Sequence, residues 1–231
     1  MGYPSQGSAK FNENVMLTRL VESGLAESDA STLDIEGMFQ GITSTGGAVP
    51  TIDANGTFVR STSGGVSGDD TGLSSELTTR RAHNPKFEIK FKFAEITTVR
   101  RWIVLTDLTL ATQVASDSPA GSFAGIRLST DASDTNFRFT CKDGTTLNNQ
   151  DSGIAVDTAV HYLRIEFDDT AGTVTLVLFN SSHTEQARVT LTANLPAAGT
   201  NLRIVSACET RDAVARTVDN YGMAIFKRSS I

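Results

Sequence analysis

The stretch Phe87-Glu88-Ile89-Lys90-Phe91-Lys92-Phe93 alternates large apolar side chains with charged ones at every second position. A period of two is that of a β-strand, in which successive side chains point to opposite faces of the sheet. The pattern therefore predicts a strand with one face in a hydrophobic core and the other face in water.

Similar strand patterns follow this stretch along the chain. Residues 162–167 repeat the alternation, and residues 101–105 form the continuous apolar run that is typical of a central strand. Further strands are predicted at residues 123–128, 137–141, 174–179, 187–191, 202–208 and 218–226. Turn signals such as Asp143-Gly144 separate them, because glycine accepts the positive φ of a tight hairpin. Strands without intervening helices predict an all-β fold, an antiparallel two-sheet jelly-roll sandwich.

The first 47 residues differ from the rest and are predicted to form an N-terminal arm. Apolar residues at helical spacing predict a short helix, and residues 28–39 are expected to form a second short helical turn. The apolar residues that would supply the contacts of the arm are Phe11, Val15, Leu17, Leu20 and Val21. Because so short a helix is unstable alone, we expect residues 1–47 to dock on another chain or on the sandwich at residues 48–231. Deleting the arm is expected to leave a folded sandwich that no longer attaches.

Residues 41–80 are rich in Gly, Ser and Thr and are too polar to build a core of their own. One strand is predicted there, at residues 57–60 after the turn signal Asn55-Gly56. A surface loop is expected at residues 63–70.

Composition and charge exclude several classes of protein. No window approaches about 18 uncharged apolar residues, so we expect no membrane partner. The net charge of −6 argues against broad binding of nucleic acid. Two cysteines exclude a disulfide framework and favour free thiols, with a Cys141–Cys208 bridge left open. The N-terminus has no signal-peptide pattern, so synthesis in a cytoplasm is expected.

No residue pattern predicts a catalytic, metal or cofactor site. The three histidines lack partners at ligand spacing and are expected at the surface or in caps. The acidic pairs at residues 69–70, 131/134 and 168–169 could each bind Ca²⁺, but turn chemistry explains them equally well. Glu166 and Asp168 alternate on one strand as the acids of sandwich glycosidases do, yet Thr170 stands at the next acidic position. We therefore expect no cofactor and no reaction.

Sugar binding is the remaining chemistry to consider, and it needs exposed aromatic rings. Trp102 lies in an apolar run and is expected in the core. Tyr162 and Tyr221 are then the candidates for glycan contact. The basic doublets at residues 80–81 and 100–101 lack interleaved aromatics and are interpreted as loop or edge charges.

The order of strands and turns at residues 87–91, 101–106, 125–128, 136–140, 143–144, 162–167 and 194–196 resembles the concanavalin A-like (laminin G-like) jelly-roll domain of tailed-bacteriophage virion structural proteins. The resemblance implies a non-enzymatic virion component, made in the host cytoplasm, such as a capsid decoration, head-fibre or tail-associated protein. It also implies capsid or tail proteins as partners and a homo-oligomer, for example a trimer. The alternatives are a module that binds a receptor or a host surface glycan, and a glycoside hydrolase-like enzyme.

Overall fold

The computed structural model describes residues 26–28, 32–35, 39–42, 46–52, 58–75 and 78–227, with side chains described within residues 46–48, 50–52, 58–75 and 78–221. These residues form two β-sheets whose neighbouring strands are all antiparallel. The expected all-β, two-sheet sandwich is confirmed. The short helix expected around Phe11–Val21 lies outside the described residues.

The first sheet has nine strands. In spatial order they are β1 (Ala26–Ser28), β2 (Thr32–Ile35), β3 (Phe39–Ile42), β6 (Asp70–Ser75), β15 (Arg203–Thr210), β8 (Val99–Thr106), β9 (Ser122–Ser129), β10 (Asn136–Asp143) and β11 (Leu147–Ala155). The predicted Asp143-Gly144 hairpin connects β10 to β11, and Gly144 has the positive φ of 102° that the turn requires.

The second sheet has seven strands. In spatial order they are β14 (Glu185–Leu191), β13 (Thr173–Phe179), β12 (Val160–Asp168), β7 (Pro85–Phe93), β16 (Thr217–Lys227), β5 (Val59–Thr62) and β4 (Ala48–Ile52). The alternating stretch 87–93 thus lies in the central strand, between β12 and β16. Its strict period of two places one face of the sheet in the core and the other in solvent.

The hydrophobic core lies between the two sheets. Phe87, Ile89 and Phe91 of β7 are fully buried there, as the alternation predicts. They face apolar side chains of the first sheet, and the rings of Phe91 and Phe137 meet edge to face with centroids 6.2 Å apart. Burying each such side chain contributes about 1.5–3 kcal/mol, so this interior stabilises the sandwich.

A second apolar cluster lies on the outer face of the first sheet. Trp102 and Phe123 pack there beneath the short helix α1 (Leu110–Val114), which supplies Leu110 and Val114. This face is therefore covered by protein, whereas the outer face of the second sheet has no such cover among the described residues. Within the part of the chain that the structure describes, no helix is long and apolar enough to cross a bilayer.

Two expectations for the N-terminal half are wrong, and a third is confirmed with shifted bounds. Residues 28–39 were expected to be helical, but they contain β2, whose backbone bonds to β3 and whose Thr32 and Ile35 favour extended geometry. The polar segment 41–80 supplies the buried strand β6, because the backbone of β6 pairs with β3 on one side and β15 on the other. The strand predicted at residues 57–60 lies two residues further on, at Val59–Thr62.

Candidate functional site

The outer face of the second sheet carries polar and aromatic side chains from neighbouring strands. In β7 and β12 the even-numbered residues point outward, since the odd-numbered ones fill the core. The antiparallel register places Tyr162 opposite Lys90 and Arg164 opposite Glu88. Residues that are distant in sequence are thereby assembled into one surface.

Tyr162 and Tyr221, the two candidates predicted from the sequence, lie on either side of Lys90. The Nζ atom of Lys90 is 5.5 Å from the ring centroid of Tyr162 and 5.3 Å from that of Tyr221. Both tyrosines are half-buried, so part of each residue remains accessible to solvent. On the far side of Tyr221 the ring of Phe58 follows at 5.1 Å.

At the other end, His183 extends this arrangement. Its ring meets Tyr162 edge to face at 4.7 Å and stacks on Phe179 at 4.7 Å with an interplanar angle of 10°. We call the set Phe179, His183, Tyr162, Lys90, Tyr221 and Phe58 the aromatic row. It crosses the outer face of the second sheet from β13 to the residue that precedes β5.

A hydrogen-bonded carboxylate lies beside the aromatic row. Glu88 accepts from Arg164 Nε at 2.7 Å, and its other oxygen lies 2.9 Å from His183 Nε2. The guanidinium of Arg164 also lies 4.8 Å above the ring of Phe179. Glu88 thus fixes both His183 and Arg164 in place, and the aromatic row is held by polar contacts as well as by packing.

Sequence reasoning missed His183 as part of a surface site. It lies in the turn between β13 and β14 with a φ of 58°, and its backbone N–H donates to Asn180 O at 2.9 Å. Nothing in the local sequence indicates that this turn folds over the sheet towards Tyr162.

His161 was expected at the surface or in a cap, and this expectation is wrong. Its side chain is buried against the rings of Phe91 and Phe137.

The acids considered for glycosidase chemistry are engaged in other contacts. Glu166 forms an ion pair with Lys86 at 2.8 Å, and Asp168 accepts the backbone N–H of Ala171 at 2.9 Å. The two carboxylates do share the outer face of β12, as their spacing predicts. Glu166 is thus engaged in an ion pair across the sheet, and Asp168 stabilises the turn of the hairpin that joins β12 to β13.

The acids considered for Ca²⁺ likewise have partners within the protein. Asp69 accepts from the backbone of Val66, and Asp169 pairs with Arg81 at 2.7 Å. Asp131 pairs with Arg211 at 2.7 Å, and Asp134 pairs with Arg127. Among the described residues no group of three or more His, Cys, Asp or Glu side chains could hold a metal ion.

The basic doublet 100–101 was expected at a loop or an edge, and this expectation is wrong. Both residues are buried in β8, a central strand of the first sheet. Arg100 Nε donates to Asp117 at 2.7 Å, and Arg101 lies over the ring of Phe93 at 4.9 Å. Burial is tolerated because carboxylates and an aromatic face surround the two guanidinium groups.

Arg127 and Lys142 point to the same outer face of the first sheet and bind the segment that covers it. Arg127 Nη1 donates to Asp117 O at 2.7 Å, and Lys142 Nζ donates to Pro119 O at 2.8 Å. These cations hold the segment around α1 onto the sheet. The open outer face of the second sheet is therefore the better candidate for ligand binding.

The two cysteines are buried free thiols. β10 and β15 are three strand spacings apart in the first sheet, so Cys141 and Cys208 are separated by at least about 14 Å. A disulfide needs Cα atoms within about 7 Å, so the bridge that the sequence left open is excluded. Burial raises the pKa of the Cys141 thiol to about 12 and also raises the pKa of Cys208.

The arm residues Phe11, Val15, Leu17, Leu20 and Val21 lie outside the described residues, and their role in attachment stays a prediction. The described part of residues 1–47 includes β1, β2 and β3, which pair with one another and join the first sheet at β6.

No family model matches this sequence, and no curated protein matches it either. Among solved structures, a protein of unknown function from Shewanella oneidensis MR-1 matches over 100% of both chains, with 13% identity and a TM-score of 0.59. The exoplasmic/lumenal domain of VIP36, solved with Ca²⁺ and Man3GlcNAc bound, matches over 84% of this chain and 85% of its own, with 11% identity and a TM-score of 0.55. A glycosyl hydrolase family protein from Mycobacterium fortuitum matches over 87% of this chain and 80% of its own, with 13% identity and a TM-score of 0.50.

The sandwich therefore has the fold of concanavalin A-like lectins and glucanases, in agreement with the fold that the sequence resemblance implied. At these identities the likeness shows the fold alone. The virion setting, the capsid or tail partners and the homo-oligomer stay predictions.

Proposed function

We propose that this protein is a non-enzymatic carbohydrate-binding sandwich that holds its glycan on the aromatic row. The observation that carries the proposal is the pair of half-buried tyrosines, Tyr162 and Tyr221, with ring centroids 5.5 and 5.3 Å from Nζ of Lys90. A pyranose has an apolar C–H face and a rim of hydroxyls. Tyrosine suits such a ligand, because it combines an apolar ring with a polar hydroxyl.

Polar groups for the sugar rim lie next to these rings. Glu88, Arg164 and His183 form a hydrogen-bonded set beside Tyr162, already fixed by their mutual contacts. Preorganised groups lose little conformational entropy on binding, so they favour recognition. The VIP36 domain, which shares the fold, was solved with an oligosaccharide bound, and this supports a carbohydrate as the ligand class here.

The contacts of the acids support binding without hydrolysis. A glycosidase needs two carboxyl groups free to act as acid and as base or nucleophile. On this face Glu88 is held by Arg164 and His183, and Glu166 is held by Lys86. We expect no release of reducing ends from any β-glucan, and Glu166→Gln is expected to leave glycan binding unchanged.

A glycan array with the full chain tests the proposal. Tyr162→Ala is expected to weaken binding to the preferred glycan about tenfold or more, because it removes a stacking ring at the centre of the site. Tyr162→Phe keeps the ring and is expected to retain most of the affinity. Thr175→Ala changes the same sheet face away from the aromatic row and serves as the matched control.

Three outcomes would overturn the proposal: no glycan bound by the folded protein, full binding by Tyr162→Ala, or hydrolysis of a bound glycan. Circular dichroism and the melting temperature establish that each variant is folded. A parallel array with a chelator is expected to give the same result, because no group of three or more potential metal ligands lies at the aromatic row among the described residues. Loss of glycan binding in the presence of the chelator would show that the glycan is held by a bound metal ion and not by the aromatic row.

A further inference from the structure

We infer that the glycan held on the aromatic row is acidic, with a carboxylate or sulfate group bound by Lys90. This inference rests on the proposed carbohydrate-binding function and adds the class of ligand. It follows from the distribution of ion pairs over the outer face of the second sheet.

Three other cations around the aromatic row already have carboxylate partners. Lys86 pairs with Glu166 at 2.8 Å, and Arg164 pairs with Glu88 at 2.7 Å. Arg60 makes a bidentate contact with Asp219, with N–O distances of 2.8 and 2.9 Å, and this contact raises the pKa of Arg60. These positive charges are neutralised before any ligand arrives.

Lys90 differs from them, because it makes no ion pair with any described residue. The strand register explains why. Its neighbours across the two adjacent strands are Tyr162 on β12 and Gly222 on β16, and neither is acidic. The next outward lysine, Lys92, lies opposite Asp219, whose carboxylate is held by Arg60. Lys90, in contrast, is the lysine whose ammonium group lies over both tyrosine rings.

The two tyrosine rings hold the ammonium group of Lys90 without neutralising it. A cation over a ring face gains about 0.5–1 kcal/mol at an exposed site, which helps to restrict its position. An ammonium has three N–H donors, and no described side chain accepts a hydrogen bond from it. A carboxylate or sulfate beside the rings would accept such charge-assisted hydrogen bonds, while the pyranose that carries it lies against Tyr162 or Tyr221.

The charge of the whole chain makes general binding of polyanions a poor alternative. With a net charge of −6, the protein repels polyanions except where a local cation is free. Selectivity for an acidic sugar should therefore depend on one residue and on its two flanking rings.

The test uses the full chain and matched sets of immobilised oligosaccharides, each neutral form beside its sulfated form and its form with a uronate or sialate. The acidic forms are expected to bind about tenfold more tightly than the neutral form, which is the effect of one charge-assisted contact. The sulfate and carboxylate arms identify which anion Lys90 prefers. Raising the salt concentration is expected to reduce this preference.

Lys90→Met is expected to abolish the preference, so that the acidic and neutral forms bind with equal affinity. Lys86→Met is the matched control, since Lys86 lies on the same strand and face but is paired with Glu166. It is expected to keep the preference.

Equal binding of neutral and acidic forms by the wild type would overturn the acidic-ligand inference while the carbohydrate-binding function stands. A preference for acidic forms that survives Lys90→Met would also overturn the acidic-ligand inference and leave the carbohydrate-binding function standing. Absence of binding to every form would overturn the proposed function itself.

Discussion

Cys141 shows how burial controls the chemistry of a single residue. The sequence placed it on the inward face with Phe137 and Phe139, and the structure confirms that it is buried there. Its Sγ donates to Asn194 O at 3.3 Å, and desolvation raises the pKa of the thiol to about 12. The thiolate is the reactive form of cysteine, so burial and the raised pKa disfavour Cys141 as a nucleophile and fit a residue of the core.

We predict that Cys141 in the native protein resists thiol-specific reagents at pH 8 to 9. With a pKa of about 12, roughly one thiol in a thousand is ionised at pH 9, and burial blocks access to that fraction. The Cys208→Ala variant isolates Cys141, and mass spectrometry after maleimide treatment measures the labelling. In guanidinium chloride the same variant should label completely. Rapid labelling of the native protein would show that Cys141 is exposed.

The candidate site shows which residues the sequence can predict. Tyr162 and Tyr221 were identified because few aromatics remained outside the apolar runs. Lys90 was predicted to point outward, but its position between the two rings depends on the pairing of β7 with β12 and β16, which no local pattern specifies. His183 was missed because its contacts arise from the conformation of a turn.

At the scale of elements, the length of an apolar pattern decided what could be predicted. β7 and β12 each have nine residues with strict alternation, and both were found. β6 was missed, because Thr71-Gly72-Leu73-Ser74-Ser75 has no such pattern. A Cβ atom on Gly72 would lie 2.2 Å from Ser206 O and 2.8 Å from Leu110 Cδ1, so close packing beneath α1 requires glycine.

Helix α1 was also missed, since its five residues are too few to show a period. It is stabilised by packing, with Leu110 buried against the cluster that contains Trp102. Its Gln113 accepts a hydrogen bond from Thr106 at 2.8 Å, which links the helix to β8. The helix therefore depends on tertiary contacts, as expected for an element of this length.

We predict that Leu110→Ala lowers the free energy of unfolding by about 2–5 kcal/mol, because it leaves a cavity above the first sheet. Trp102 is the single tryptophan of the chain and is fully buried, so its emission reports on this cover directly. We expect a red shift of the native emission in the variant. The exposed Thr112 on the same helix supplies the control. Thr112→Ala should change neither the free energy of unfolding nor the emission of Trp102 appreciably. An unchanged emission together with unchanged stability would mean that α1 does not seal this face.

At the scale of the whole molecule, the first sheet extends beyond the sandwich that the sequence delimited at residue 48. Strands β1, β2 and β3 continue it past β6, with Phe39 opposite Ser75 and Ile42 opposite Gly72. Short strands of this kind give weak patterns, and β3 joins the sheet by pairing with β6, a segment distant in sequence. The global fold could be predicted because the C-terminal strands are long and regular.

This extension changes the expected result of truncation. Deleting residues 1–47 removes β1 to β3 and exposes the edge of β6, and an unpaired edge promotes association with other chains. Deleting residues 1–25 removes the predicted arm residues Phe11 to Val21 but keeps every described strand. We therefore expect the shorter deletion to melt close to the full chain, and the longer deletion to melt lower and to aggregate. Melting curves and light scattering measure both effects, and the oligomeric mass of the shorter deletion shows whether the arm joins copies of the chain. Equal stability and solubility of the two variants would contradict the role of β1 to β3 as the cover of β6.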